Sequence, residues 1–243
     1  MNIIGHGSEW RKNYEKMEAM VGKYLDKYLY PNISVAFERN TNDETQKKGV
    51  DVSLTGNTQV IRIDEKATMN WVCTNLKKAA LELRLLTIDD NNNEHEINGW
   101  LLSHGINTHI AIIWVDDADT KKLINNTNKG ERYQLTGSGI TDCTCAIINK
   151  QLILDELENS GWTINNLKIK ADRIRTAYNT YGKEYWKHER CGKLDEDGVH
   201  FFIQTDEPEH AVNVQLSRNK LIELSDYTCR IKNNQLQEIH RRK

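Results

Sequence analysis

Hydrophobic positions near the start of the chain change from a helical spacing to the spacing of β-strands. Over residues 8–28 they recur every three or four positions behind a serine, which predicts an amphipathic helix. Three short stretches with strand character follow, and a Thr-Gly-Asn-Thr turn signal joins the second to the third. They cover residues 33–39, 50–54 and 59–66.

The middle of the chain predicts more strands. A short helix at residues 69–78 is followed by apolar stretches that predict strands at residues 79–87, 97–103 and 108–115. The polar run between the first two of these strands is typical of a hairpin loop. Acids at residues 116–119 then predict the start of a short helix that ends near Leu123, because acidic side chains favour the positive end of a helix.

The run of Gly, Asn, Thr and Ser at residues 125–142 predicts a connecting loop. It separates a core, residues 1–124, from an α+β extension, residues 143–243, and we expect the two to pack as one compact unit. Within the extension the pattern predicts two helices, two strands and a charged tail. The helices cover residues 150–159 and 164–178, and the strands cover residues 199–205 and 211–216.

The composition of the chain indicates which partners and which cellular compartment to expect. With 33 basic and 35 acidic residues the formal charge is -2, so contact with a polyanion must be local. The longest apolar run, residues 110–115, is far shorter than a membrane span, and the start of the chain lacks the apolar core of a signal peptide. The 5 cysteines include no Cys-x-x-Cys pair, which favours reduced thiols over disulfides or a zinc site. We expect a cytoplasmic protein without a membrane partner.

Charged residues interrupt two of the predicted strands, and alternation along a strand indicates which of them share a face. Asp64 and Lys66 are two residues apart and therefore point to the same side, whereas Glu65 points to the other side. Asp51 lies on the polar side of the preceding strand. If the two strands form a hairpin, Asp51 approaches Asp64.

Two converging carboxylates repel each other and raise the pKa of at least one of them, unless a cation lies between them. Mg²⁺, or Mn²⁺ in its place, prefers such oxygens and leaves other coordination positions to water and phosphate. A lysine beside the cation can orient or deprotonate the attacking water. Asp51, Asp64 and Lys66 are therefore candidate catalytic residues for phosphodiester hydrolysis.

This order of a helix, a strand, a strand that begins with Asp and a strand that ends in Asp-x-Lys resembles the PD-(D/E)xK nuclease superfamily, which includes restriction endonucleases and Holliday junction resolvases. The resemblance covers about residues 8–115. It implies a restriction-endonuclease-like α/β core, with a mixed central sheet between helices, and a Mg²⁺-dependent endonuclease that cuts DNA. It also implies metal ligands at Asp51, Asp64 and the main-chain carbonyl of Glu65. Restriction and mobile-element roles fit the breadth of the family, and a homodimer would supply a second active site for double-strand cuts.

Several weaker candidates remain open. Glu82 lies within an apolar strand and could reach the metal from an adjacent strand or pair with Arg84 or Arg62. Many members of the superfamily carry a Glu on the opening helix, a place that Glu18 or Glu15 could fill. Four basic residues on one predicted helix are candidates for contact with DNA, although a solvated helix face explains them as well. They are Lys168, Lys170, Arg173 and Arg175.

Two alternatives to a nuclease also remain. One is a module that uses the nuclease fold to bind DNA or a protein partner without cutting. The other is an interaction protein whose acids are only surface charges.

Overall fold

The computed structural model describes residues 8–41, 49–56, 59–69, 76–88, 93–117, 139–189, 199–205 and 209–242. The chain divides into two compact units, and each unit consists of three separate segments of sequence. The large unit comprises residues 10–77, 105–152 and 218–243, and the small unit comprises residues 1–9, 78–104 and 153–217.

A mixed sheet of 7 strands forms the centre of the large unit. Its strands are β1 (Ala36–Arg39), β2 (Val52–Thr55), β3 (Val60–Ala67), β6 (His109–Asp117), β7 (Ile140–Asn149), β10 (Tyr227–Lys232) and β11 (Gln235–Arg241), and they lie side by side in this order. The pair β3 and β6 is parallel, and every other neighbouring pair is antiparallel. This one parallel pair makes the sheet mixed.

Helix α1 (Ser8–Tyr28) packs its apolar stripe on one face of this sheet. The stripe includes Met17, Val21 and Leu25, which are buried against strand residues such as Ile63 and Ile113. A short second helix, α2 (Tyr30–Ile33), follows directly. Burying such side chains stabilises the unit by roughly 1.5–3 kcal/mol each, so the contact between α1 and the sheet is a main source of its stability.

The small unit contains a sheet of 4 strands. These are β4 (Lys78–Ile88), β5 (Glu94–Asn98), β8 (His200–Ile203) and β9 (Val212–Ser217), in the spatial order β5-β4-β9-β8. Helix α4 (Ile164–Tyr181) belongs to this unit, and Thr163 caps it by accepting a hydrogen bond from the main-chain N–H of Asn166 at 3.2 Å. Helix α3 (Lys150–Asn159) precedes it, and a 3₁₀ turn (Gly182–Lys187) follows it.

Most predicted elements are confirmed at or near their expected bounds, including α1, the three strands after it, α3, α4, β4, β6, β8 and β9. The strand predicted at residues 97–103 is wrong over most of its length, because β5 covers Glu94–Asn98 and the chain turns at residues 100–102. The predicted helix at 69–78 falls largely outside the described residues. Of the helix predicted from Asp116, residues 116 and 117 belong to β6, and the rest lies outside the described residues.

Two further predictions are corrected. The loop predicted at residues 125–142 is too long at its end, because β7 begins at Ile140. This strand is central in the sheet, and its Cys143 and Cys145 are buried. The charged tail is instead a helix, α5 (Arg218–Leu224), and the hairpin of β10 and β11. The hairpin turns at Asn233 and Asn234, which both have positive φ angles, a conformation that asparagine tolerates better than most residues.

The fold class is thus mixed α/β, with a large mixed sheet flanked by helices. Among the described helices, none combines the length and the apolar character that crossing a membrane requires.

Candidate active site

Strand β3 directs Asp64 and Lys66 to the same side of the sheet. The Nζ of Lys66 lies 3.0 Å from Oδ1 of Asp64, and the Asp64 side chain is only 5% exposed, whereas that of Lys66 is 36% exposed. A nearly buried carboxylate is therefore paired with a lysine that reaches solvent. This arrangement follows from the alternation of the strand.

Asp51 joins this pair from the segment that leads into β2. Its main-chain N–H donates to the carbonyl of Ile63 at 2.8 Å, and its Oδ2 accepts the main-chain N–H of Glu65 at 2.7 Å. Burial raises the pKa of Asp51 and the charge of Asp64 raises it further, while Lys66 and the Glu65 N–H oppose the shift. Asp51 thus lies close enough to Asp64 and Lys66 for their charges to act on it, and burial contributes more to its raised pKa than the neighbouring carboxylate does.

The side chain of Glu65 points away from these three residues. It accepts hydrogen bonds from the hydroxyl of Tyr30 and from both terminal nitrogens of Arg39, at 2.9 and 3.0 Å. Arg39 is in turn held by two hydrogen bonds to Asp26, each 2.8 Å long. The side chain of Glu65 therefore joins β3 to Tyr30 and Arg39, and only its main-chain carbonyl is a candidate metal ligand. The role of its carbonyl as a ligand stays a prediction.

Of the two candidate acids on α1, Glu18 is close enough to the site for the site's charges to act on it. Its pKa is raised to about 7, first by the desolvation of its carboxyl and then by the charges of Asp51 and Asp64, while Lys66 opposes the shift. The residue as a whole nevertheless keeps substantial exposure to solvent, so this shift is partly screened. Glu18 thus borders the site on the side of α1.

Two polar residues at the site were missed by the reasoning from sequence. Asn107 precedes β6 and is 8% exposed, and its Nδ2 has no hydrogen-bond partner among the described residues. Lys150 begins α3, where its N–H donates to the carbonyl of Thr108 at 3.1 Å, and the charge of Asp64 acts on its ammonium. Burial lowers the pKa of Lys150, and Asp64 opposes that shift. Both residues flank the parallel partner strand of β3, a pairing that no local motif signals.

The two acids meet the minimum that a hard cation requires. Within the described ranges, no group of three or more His, Cys, Asp or Glu side chains is arranged to hold a metal ion. Mg²⁺, however, usually takes one or two carboxylates and keeps several waters. Among the contacts of the described residues, one oxygen of Asp51 accepts the Glu65 N–H and one oxygen of Asp64 pairs with Lys66, so the second oxygen of each carboxylate is available to a cation there. The residues present therefore fit such an ion.

The sequence suggested that Glu82 could reach the metal from a strand adjacent to β3, but the strand that contains Glu82 is not adjacent to β3. It belongs to β4, whose neighbours are β5 and β9, whereas the neighbours of β3 are β2 and β6. Arg84, one of the two expected partners of Glu82, lies 3.1 Å from Asp172 and donates to Asn98 at 2.7 Å. The route by which Glu82 was expected to reach the metal is therefore absent.

The four basic residues of α4 do not form one exposed face. Lys170 is buried and pairs with Glu189 at 2.8 Å, and Arg175 is buried and pairs with Glu96 at 3.2 Å. Arg173 is exposed but also lies 3.0 Å from Glu189, and Lys168 is half-buried. Two of the four cations thus stabilise the small unit from within. Contact with nucleic acid stays a prediction for Lys168 and Arg173 only.

Comparison with known proteins adds no family to this description, because no family model, no curated protein and no solved structure matches the chain.

Proposed function

We propose that this protein is a metal-dependent endonuclease that hydrolyses phosphodiester bonds of DNA, built on a restriction-endonuclease-like core. One observation supports the proposal: Asp51 lies near the ion pair of Asp64 and Lys66, and the pKa of Asp51 is raised by burial and then by the charge of Asp64. Two neighbouring carboxylates repel each other, and a divalent cation bound between them would remove that repulsion.

Each residue has a role in this proposal. Asp51 and Asp64 hold a Mg²⁺ or Mn²⁺ ion, with the Glu65 carbonyl as a further ligand. When bound, such an ion polarises a phosphoryl oxygen and makes a bound water more acidic. Lys66 orients the attacking water and stabilises negative charge on the phosphate, and the Asp64 carboxylate keeps the ammonium in place at 3.0 Å. The water oxygen forms a new bond to phosphorus and loses a proton to solvent, the bond from phosphorus to the leaving oxygen breaks, and that oxygen takes up a proton from solvent to become a hydroxyl group.

The direct test is cleavage of supercoiled plasmid with Mg²⁺ or Mn²⁺. We expect Lys66→Ala and Asp64→Asn to lower the rate of cleavage by about 100-fold or more, the size of effect that a positioned acid or base has. Lys232→Ala is the matched control, since Lys232 is an exposed lysine at the end of β10, and it should cut like the wild type. Thermal melting of each variant establishes that it is folded.

The outcomes separate the alternatives. Cleavage that survives both substitutions, or that persists in EDTA, would refute the proposed site. Binding of DNA without any cleavage of plasmid, single-stranded DNA or RNA would instead identify a binding module. Cutting of RNA in preference to DNA would correct the substrate while leaving the site unchanged.

A further inference from the structure

Helix α5 begins with an arginine that lies over a tryptophan of the large sheet. The Cζ of Arg218 is 4.6 Å from the centroid of the Trp114 ring, and the main-chain N–H of Arg218 donates to the carbonyl of Lys77 at 2.7 Å. Trp114 is only 5% exposed, whereas Arg218 is half-buried. The ring contact and the main-chain hydrogen bond thus fix the position of this arginine.

The guanidinium of Arg218 has no anionic partner within the described part of the chain. It donates no hydrogen bond there and forms no ion pair, although an arginine carries five N–H donors. Burial lowers the pKa of Arg218 and the charge of Arg230 lowers it further, while Asp142 opposes the shift. Asp142 itself accepts two hydrogen bonds from Arg230, and the charge of Asp116 also acts on Arg230. Arg218 is thus a partly desolvated cation near another cation, an arrangement that a bound anion would stabilise.

The register of the strands places Arg218 on the same side of the sheet as the candidate active site. Lys66 is paired with Ile112 of β6, and Trp114 lies two residues further along β6, so the side chains of Lys66 and Trp114 point to one face. Neighbouring strands are about 4.8 Å apart and residues i and i+2 are about 6.7 Å apart, which puts the Cα atoms of Lys66 and Trp114 about 8 Å apart. The ring beneath Arg218 is therefore one step along the sheet from the lysine of the proposed reaction.

We propose that Arg218 binds a backbone phosphate of the nucleic acid, close to the phosphate that is cut. This inference rests on the proposed function, and it adds a binding residue that no sequence motif indicates. An arginine suits the role because its planar fork of N–H groups matches the oxygens of a phosphate and can lie on an aromatic ring at the same time. Since every nucleotide carries such a phosphate, Arg218 contributes affinity and alignment and not the recognition of bases.

Binding of labelled duplex DNA in EDTA, followed by fluorescence anisotropy, tests the inference without any need for cleavage. We expect Arg218→Met to weaken the binding of unrelated sequences by about tenfold or more, the size of effect that a hydrogen bond to a charged group has. Between about 50 and 200 mM NaCl, the slope of log affinity against log salt should become shallower by about 1, because one phosphate contact is lost. Arg218→Lys keeps the charge, so its salt slope should match that of the wild type.

Arg241 provides the matched control. Its Cζ also lies over an aromatic ring, 4.9 Å from the centroid of Tyr227, but Tyr227 belongs to the core on the α1 side of the sheet, and Arg241 pairs with Glu238 at 2.9 Å. Arg241→Met should therefore bind DNA with unchanged affinity and unchanged salt slope. If Arg218 only packs on Trp114, Arg218→Met will lower the melting temperature and leave affinity and slope as in the wild type, and that result would refute the inference.

The failure of this inference and the failure of the proposed function give different results. If the wild type cuts plasmid and Arg218→Met binds DNA as the wild type does, Arg218 is not a DNA contact, and the nuclease proposal is unaffected. If affinity and salt slope depend on Arg218 but the wild type cuts no nucleic acid, the phosphate contact stands and the nuclease proposal fails. If neither the wild type in EDTA nor Asp64→Asn in Mg²⁺ binds DNA or RNA, the inference is refuted as well.

Discussion

Arg39 connects the site strand to the helices, and its removal is the sharpest test of how the site is anchored. Its guanidinium donates to both oxygens of Glu65, to both oxygens of Asp26 and to the carbonyl of Gly22. Arg39→Met keeps most of the side-chain volume and removes all of these donors. Among the described residues, Glu65 would then keep only the Tyr30 hydroxyl as a side-chain donor.

The expected cost follows from the burial of the pair. The Glu65 side chain is 11% exposed and that of Arg39 is 26% exposed, so the pair is largely but not fully removed from water. Breaking a buried ion pair from one side typically costs 3–5 kcal/mol, and partial exposure favours the lower end. We therefore expect Arg39→Met to lower the free energy of unfolding by about 3 kcal/mol, which for a protein of this size lowers the melting temperature by about 10 °C.

Urea denaturation of three variants measures this cost. Arg62→Met is the control, because Arg62 is an exposed arginine on the opposite side of β3, and its loss should cost less than about 0.5 kcal/mol. The double variant Arg39→Met with Glu65→Gln should be more stable than Arg39→Met alone, by about 1 kcal/mol or more, because the uncompensated charge is gone. A loss below 1 kcal/mol in Arg39→Met, or a double variant less stable than the single one, would refute this account of the network.

Two further predictions concern the same helix. A Cβ on Gly22 would stand 2.9 Å from Cζ of Arg39, so Gly22→Ala should displace the guanidinium and cancel the roughly 1 kcal/mol that alanine gains over glycine within a helix; a gain of that full amount in the same denaturation series would contradict the close approach. The folded pKa of Glu18, about 7, exceeds its ordinary value of 4.5, so its contribution to stability is full below pH 4.5 and is lost as the pH rises through 7. Glu18→Gln should therefore gain stability relative to wild type between pH 4.5 and 8, by about 1 kcal/mol after allowance for solvent screening, and a constant difference across that range would refute the shift.

Local patterns were sufficient for the elements that carry the site. The helical spacing of α1 predicted bounds that agree with the structure, because an amphipathic stripe is encoded within a few residues. The placement of Asp64 and Lys66 on one side of β3, with Glu65 on the other, follows from strand alternation alone. The approach of Asp51 required one more step, the hairpin of β2 and β3, which the turn signal predicted.

The features that could not be predicted from the sequence depend on pairing between residues that are far apart in the chain. Strand β7 was hidden because its first residues continue a polar run, and its buried Asp142 is compensated by Arg230, a partner 88 positions away. Lys170 and Arg175 looked like surface charges because their partners, Glu189 and Glu96, are also remote in sequence. Asn107 carries no motif at all. The Asn233–Asn234 turn, by contrast, was a local signal that could have revealed the last hairpin.

The arrangement of Asp51, Asp64 and Lys66 depends on the register of β3, and the Arg39 network helps to hold that register. A slip by one residue would turn Glu65 toward the site and carry Asp64 and Lys66 to the side of α1. The fully buried Ile63, paired with Val52, resists this slip through apolar packing. Arg39 adds a charged constraint, because a slip in one direction would bring Lys66 against its guanidinium and a slip in the other would replace Glu65 with the shorter side chain of Asp64. The side chain of Glu65, which has no role in the proposed chemistry, therefore helps to fix the direction of Asp64 and Lys66.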